Sequence, residues 1–311
     1  MKRLRIVFMG TPDFSVPTLQ KLHESEHEIV GVVTQPDKQR GRGKKVSYSP
    51  VKEYALQENL PVYQPESVKS EKFMETLRAL NPDILVVIAY GKILPEAVLN
   101  YPKYGAVNVH ASLLPKYRGA APIHWAILNG DKEAGVTIMQ MDIGMDTGDM
   151  LLTAAIPVEP DETTGSLFEK LSVLGAQTLL TVLSDIETYR GKRVSQDERE
   201  ATYAQKITKD MGHIDWTCSA EEIERYTRGL APAPGMYTTV GGQRLKIWKA
   251  TVCGNQSGAP GEVLRVGKKS FLVACGNGSL EVLEVQPESR KRLTCTEYLQ
   301  QAPFAAGDIL G

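Results

Sequence analysis

Apolar residues in the first 190 positions fall in short blocks separated by amphipathic stretches. Arg5–Met9, Glu28–Thr34 and Asp83–Tyr90 are such blocks, and the last, DILVVIAY, is almost unbroken. Runs of this kind predict strands covered on both faces, as in a parallel sheet. Ala106–His110 and Gly135–Met141 predict two more strands, and Pro61–Tyr63 a brief extended piece. Between them, helical spacing predicts helices over Val16–Glu26, Val51–Asn59, Glu71–Leu80, Pro122–Leu128 and Leu167–Tyr189. The alternation implies β-α-β units, hence an α/β, Rossmann-like, mostly parallel sheet with flanking helices.

The texture changes after Gly191. A polar, charged run, GKRVSQDERE, reads as the start of a linker over 191–205. Beyond it, one helix over Glu221–Arg228 precedes five short strands: Met236–Val240, Arg244–Val252, Gly261–Val266, Ser270–Ala274 and Leu280–Val285. Such a series predicts a small OB-like β-barrel. Two domains are therefore expected, 1–190 and 206–311, which suits a chain of 311 residues.

Composition adds exclusions. No apolar run approaches the roughly 20 residues of a membrane helix. Ile6–Met9 is shorter than the roughly 7–15 residues of a signal-peptide core, so a cytoplasmic protein without membrane contact is expected. Cys218, Cys253, Cys275 and Cys295 form no C-x-x-C pair or Cys/His cluster, so reduced thiols and no metal are expected. Net charge is −1, which does not advertise nucleic acid. The local distribution differs: Lys38, Arg40, Arg42, Lys44 and Lys45 place five cations in eight residues beside two glycines. That run reads as a solvated loop or, with a nucleic-acid partner, as a phosphate contact. In the C-terminal part Arg244, Lys246 and Lys249 alternate with apolar residues and Trp248, and Lys268-Lys269 and Arg290-Lys291-Arg292 fall in turns. Basic residues interleaved with aromatics on a barrel suit RNA.

The first glycine turn, Gly10-Thr11-Pro12-Asp13-Phe14, lacks the three glycines of a dinucleotide site. Gly43-Lys44 fails as a P-loop, because Lys38 stands where glycine is needed and Lys45 replaces Ser/Thr. The informative segment is Asn108 to Pro115. Asn108 and His110 are two apart, so on a strand both side chains face one side. In an open α/β sheet that end of a strand is where ligands bind. A second strand-end loop, Asp142 to Asp149, holds Asp146 between Gly144 and Gly148. A carboxylate there can fix the tautomer of His110 and favour its charged form. Each residue alone also has a structural reading: a strand-end histidine, a turn asparagine and a loop carboxylate. The acidic run lacks the terminal Glu of a calcium loop.

Longer motifs go further. Asn108-x-His110-x-Ser112-Leu113-Leu114-Pro115, Tyr117-Arg118-Gly119-Ala120-Ala121-Pro122, Gly135-Val136-Thr137-Ile138-Met139 and Met145-Asp146-Thr147-Gly148-Asp149 resemble the folate-dependent formyltransferase superfamily. The opening Phe8 to Phe14, the Gln35-Pro36-Asp37 to Lys45 loop, Ile214-Asp215-Trp216 and the C-terminal barrel resemble its branch acting on methionyl-tRNA. The resemblance implies Asn108, His110 and Asp146 as catalytic residues and a folate site lined by Ser112, Leu113, Leu114 and Pro115. It also implies 10-formyltetrahydrofolate as co-substrate, initiator methionyl-tRNA as partner and the basic loop as its contact. A monomer needing no metal is expected. The open alternatives are an amino-sugar nucleotide or purine-precursor acceptor, a deformylating hydrolase, and an RNA-binding protein without catalysis.

Overall fold

The structure, a computed structural model, describes residues 2–40, 45–254, 256–301 and 304–311. It divides into two compact units. One comprises Met1–Pro122, Glu133–Pro157 and Phe168–Ala204; the other comprises Ile123–Lys132, Val158–Leu167 and Gln205–Gly311. The expected domains 1–190 and 206–311 are contiguous in sequence, whereas these units are not. A linear reading of texture cannot see a segment that leaves one unit, packs in the other and returns.

The strands of the first unit are, in chain order, β1 (Arg5–Gly10), β2 (Glu28–Val33), β3 (Lys38–Arg40), β4 (Lys45–Ser47), β5 (Val62–Tyr63), β6 (Ile84–Ile88), β7 (Ala106–His110), β8 (Arg118–Gly119), β9 (Glu133–Gln140), β10 (Met150–Pro157) and β11 (Tyr203–Ala204). Seven form one sheet in the order β10-β9-β7-β6-β1-β2-β5. β1 lies parallel to both β2 and β6, and β6 parallel to β7. Every residue of β6 is buried, as its unbroken apolar run requires. The helices α1 (Val16–His23), α2 (Pro50–Gln57), α3 (Glu71–Leu80) and α4 (Glu96–Leu99) join these strands. Ser49 and Ser70 start α2 and α3 by accepting from the backbone N–H of Lys52 and Phe73, each relieving one orphan donor of the first turn.

The mostly parallel sheet ends in two antiparallel strands, and two further expectations for this region are corrected. β9 returns antiparallel to β7, and β10, which the sequence pattern does not predict, pairs antiparallel at the edge. After α5 (Pro122–Leu128), the long helix expected over Leu167–Tyr189 is two: α6 (Thr164–Ser184) and α7 (Ile186–Gly191). Asp185 stands between them and its carboxylate caps the second through Thr188 N. The stretch 191–205, expected as a linker, belongs to the first unit. Val194 exchanges both backbone hydrogen bonds with Met150, and β11 pairs in parallel with β8. Its polarity reflects attachment by side chains and backbone at a surface, not freedom.

In the second unit, α8 (Ala220–Gly229) precedes β12 (Met236–Val240), β13 (Gln243–Cys253), β14 (Val263–Val266), β15 (Phe271–Ala274), β16 (Ser279–Pro287), β17 (Leu293–Thr294) and α9 (Cys295–Tyr298). The sheet is antiparallel, in the order β12-β13-β16-β15-β14, with β17 added to β16. Leu245, Ile247, Phe271, Val273 and Val282 fill its core beside Trp216, whose indole N–H donates to Thr238 Oγ1 at 3.1 Å. The OB-like closure comes from the tail. Gly307 and Leu310 donate to the carbonyls of Val263 and Gly261, while Gly311 donates to that of Thr239. Residues 307–311 thus link the two edges, β14 and β12. No helix among the described residues is long and apolar enough to cross a membrane.

Candidate active site

Parallel pairing of β6 and β7 brings the carboxyl end of β7 to the edge of the sheet where an α/β fold opens to ligand. Asn108 is half-buried there, and His110 is 6% exposed. Their separation by two residues puts both on one face of the strand. Among the described residues the Asn108 amide makes no hydrogen bond, so it is available to a ligand.

His110 Nε2 lies 2.9 Å from the Tyr117 carbonyl oxygen. A carbonyl only accepts, so Nε2 carries a proton and donates. Nδ1 is thereby the ring atom that exchanges a proton, and it faces Asp146 Oδ1 at 3.7 Å. That distance is too long for a direct hydrogen bond but within range of an ion pair when the ring is charged. The other oxygen of Asp146 accepts from Gly119 N at 2.8 Å. Asp146 itself sits in the left-handed region at φ +57°.

The loop 142–149 that carries Asp146 is tied internally. Asp142 accepts from Gly144 N at 2.9 Å and from Thr147 Oγ1 at 2.7 Å. Gly148 is required, because a Cβ there would meet the Gln140 carbonyl oxygen at 1.8 Å. The structure therefore brings Asn108, His110 and Asp146 to one end of the sheet.

The segment 112–115 departs from a simple lining. Ser112 is buried and its hydroxyl donates to the Lys116 carbonyl at 2.6 Å, inside its own turn. Leu114 is buried too. Thr137, fully buried opposite His110, donates to the Ser112 carbonyl at 2.7 Å and accepts from Leu114 N at 3.1 Å. Leu113 and Pro115 are half-buried and offer the apolar surface of this turn. The Ser112 and Leu114 side chains hold the turn's shape.

Of the basic run, Lys38 and Arg40 lie on β3 and Lys45 on β4, two strands paired antiparallel with Arg40 opposite Lys45. Arg42 and Lys44 lie outside the described residues. The root of this hairpin is anchored. Lys52 on α2 donates to Asp37 Oδ2 at 2.6 Å and to Gln64 Oε1 at 2.8 Å, and stands 4.0 Å from the centre of the Tyr48 ring. The ammonium and the Gln64 amide hold the Asp37 carboxyl below its usual range.

On the outward side of β13, Arg244 stacks over the Tyr237 ring at 4.1 Å. Lys246 and Arg292 flank the Trp248 ring at 5.2 and 5.5 Å. Lys249 follows a bulge in the strand and is exposed. Burial pushes the Cys275 and Cys295 thiols up to about 12, so neither is a thiolate at neutral pH. Among the described residues no group of three His, Cys, Asp or Glu side chains is arranged to hold a metal ion.

Sequence reading misses three residues around Asp146: Arg118, Gln196 and Glu198. Arg118 was visible only as part of the Tyr117-Arg118-Gly119 motif. Gln196 and Glu198 carry no local signal, because their partners lie 48 to 80 residues away.

The sequence profile of the formyl transferase family matches residues 4–183, and that of the formyl transferase C-terminal domain matches residues 206–303. The chain is similar to the methionyl-tRNA formyltransferase of Caldanaerobacter subterraneus subsp. tengcongensis, 53% identical over 99% of this chain and 100% of that one. It is also similar to that of Acetivibrio thermocellus, 49% identical over 99% of this chain and 100% of that one. HypX from Aquifex aeolicus, solved in complex with tetrahydrofolic acid, shares the fold with a TM-score of 0.65 at 17% identity, over 100% of this chain and 51% of that one.

Proposed function

The chain belongs to the formyl transferase family, and from that premise we propose that it transfers the formyl group of 10-formyltetrahydrofolate to the amino group of methionine on initiator tRNA. The carrying observation is the convergence of Asn108, His110 and Asp146 at one strand end, with Nδ1 of His110 turned to Asp146 at 3.7 Å. Likeness over nearly the whole chain to methionyl-tRNA formyltransferases supports the choice of acceptor.

The chemistry is acyl transfer to an amine. The ammonium of methionine loses a proton, and its nitrogen attacks the formyl carbon. A tetrahedral oxyanion forms, the attacking nitrogen gives up its second proton, and the bond from the formyl carbon to the folate nitrogen breaks as that nitrogen takes the proton. Donors aimed at the oxyanion lower the barrier most. Asn108 supplies an amide N–H, and charged His110 supplies Nδ1–H. Asp146, whose carboxylate faces the ring, is placed to accept the amine's proton. Leu113 and Pro115 offer apolar contact to the folate, with Ser112 and Leu114 shaping the turn. No covalent enzyme intermediate is needed.

The acceptor's phosphates and bases would meet two cationic features. One is the β3–β4 hairpin with Lys38, Arg40 and Lys45, together with Arg42 and Lys44. The other is the outward side of β13, where guanidinium and ammonium groups lie over aromatic rings. The reading places the protein in the cytoplasm as a monomer, where aminoacylated tRNA meets the ribosome.

The test incubates purified protein with 10-formyltetrahydrofolate and methionyl initiator tRNA, with elongator methionyl-tRNA as control, and follows formyl-methionine. Transfer to the initiator species supports the reading. Absence of transfer at any salt concentration, with turnover on an amino-sugar nucleotide, would replace the acceptor.

A further inference from the structure

Residues 193–204 cross the first unit as a strap and hold the Asp146 loop from outside the sheet. Met150 and Val194 exchange backbone hydrogen bonds of 2.8 and 2.9 Å. Arg193 Nε and Ser195 Oγ both donate to the Asp149 carboxylate, at 2.9 and 2.8 Å. Gln196 reaches deepest. Its Nε2 donates to the carbonyl oxygens of Asp146 and Gly148, each at 2.8 Å, and its Oε1 accepts from Arg118 Nε at 3.0 Å.

Both N–H donors and the carbonyl oxygen of the Gln196 amide are thereby engaged. Two carbonyls can only accept, and a guanidinium can only donate, so one orientation of the amide satisfies all three and the flipped one satisfies none. Arg118 is itself immobile. Its residue is wholly buried, and both terminal nitrogens pair with Glu198, at 2.9 and 2.8 Å. Arg118 also immediately precedes Gly119, whose N–H holds Asp146 Oδ2. The backbone of Asp146 and its side chain are thus fixed from a single two-residue strand, β8, one through Gln196 and the other directly. Asp146 needs such holding, because a left-handed φ of +57° is disfavoured for a residue with a Cβ.

We propose that Gln196 is a positioning residue for the formyl-transfer site: its two amide N–H groups hold the carbonyls of residues 146 and 148 so that the Asp146 carboxylate faces His110. The inference rests on the function proposed above. Reaction rate is sensitive to displacement of this size, since a misplacement near 1 Å can cost about 100-fold.

The test compares Gln196→Met with Gln196→Glu. Glu keeps the shape and the Arg118 contact but turns an oxygen towards two carbonyls. Both variants should lower kcat by about 10- to 100-fold, with KM for folate and tRNA within about threefold of wild type, and Glu should do no better than Met. If Gln196 only pins the strap to Arg118, Gln196→Glu will keep wild-type kcat, and the proposal falls. In an Asp146→Ala background Gln196→Met should have almost no further effect on kcat, because the group it positions is gone. A full repeat of the single-variant loss would overturn the proposal.

Thermal melts establish that each variant is folded at the assay temperature. A crystal structure of Gln196→Met supplies a readout independent of activity. Asp146 leaving the left-handed region, or its carboxylate leaving Gly119 N, is expected, and an unmoved Asp146 would sink the idea. Should wild type transfer no formyl group, the functional reading fails while this structural arm still decides the placement.

Discussion

Gly119 donates its backbone N–H to Oδ2 of Asp146 at 2.8 Å, from a φ of +114° that side-chain-bearing residues avoid. The space around it is equally restrictive. A Cβ on Gly119 would lie 2.8 Å from the Ala204 carbonyl oxygen. Gly119→Ala must therefore move β8 away from β11 or rotate the N–H that holds the carboxylate. The expected outcome is a destabilisation of about 1–3 kcal/mol, read from urea unfolding, together with a fall in kcat. An Ala variant with unchanged kcat and unfolding midpoint would mean that the backbone at 119 is less constrained than its surroundings indicate.

Removing the two donors that the proposed reaction assigns to the oxyanion should be costly and uneven. Asn108→Ala removes a group with no protein partner among the described residues, so its loss should fall on kcat, by about 100- to 1,000-fold, with little change in melting temperature. His110→Ala removes the second proposed donor together with the ring that faces Asp146, and should cost at least as much. It also empties a buried site, so its melting temperature should fall too. Single-turnover formyl transfer and a thermal melt on each variant separate the two effects.

His27 gives the first unit a sensitivity to mild acid. Burial lowers the pKa of His27, and its Nδ1 accepts from Leu4 N at 3.3 Å, which needs that nitrogen unprotonated. The unfolded chain then binds this proton more readily than the folded one. Stability is held above the unfolded value, near 6.5, and is lost as pH falls below it. Urea midpoints should drop between pH 7.5 and 5.5, and a His27→Asn variant should show a shallower drop even though it is less stable at pH 7.5.

The hairpin β3–β4 should depend on its root. Lys52 ties Asp37, the residue before Lys38, to Gln64. Lys52→Met leaves the Asp37 carboxylate with Gln64 alone, while Gln64 keeps the Gln35 carbonyl. It should raise KM for tRNA severalfold and leave KM for folate unchanged, because the change lies at the hairpin and not at β7. Titration of tRNA against the variant at fixed salt checks this, since charge-dependent contacts weaken as salt rises.

The sequence makes some of this arrangement legible and hides the rest for definite reasons. Asn108 and His110 are readable because a period of two on a short strand fixes their common face before any tertiary contact is known. β6 is readable because burial on both faces demands an unbroken apolar run. β10 is not, because MLLTAAIP has no alternation and its Ala and Leu residues suit a helix as well as an edge strand. The strap is invisible for another reason. Gln196, Glu198 and Ser195 act through side-chain hydrogen bonds to residues far away in sequence, and a polar run looks the same whether solvent or buried arginine satisfies it. The serine turn is half legible: its motif points to residues 112–115, but only the structure shows that Ser112 spends its hydroxyl on Lys116.

The closure of the second unit by residues 307–311 has a consequence for biosynthesis. A chain made from its amino end brings out β12, and then β14, before the segment that covers their edges has left the ribosome. Unpaired strand edges are templates for pairing with other chains. Until residues 307–311 have emerged, the nascent second unit keeps open strand edges, and pulse-labelled chains arrested before that point should be those that a chaperone retains.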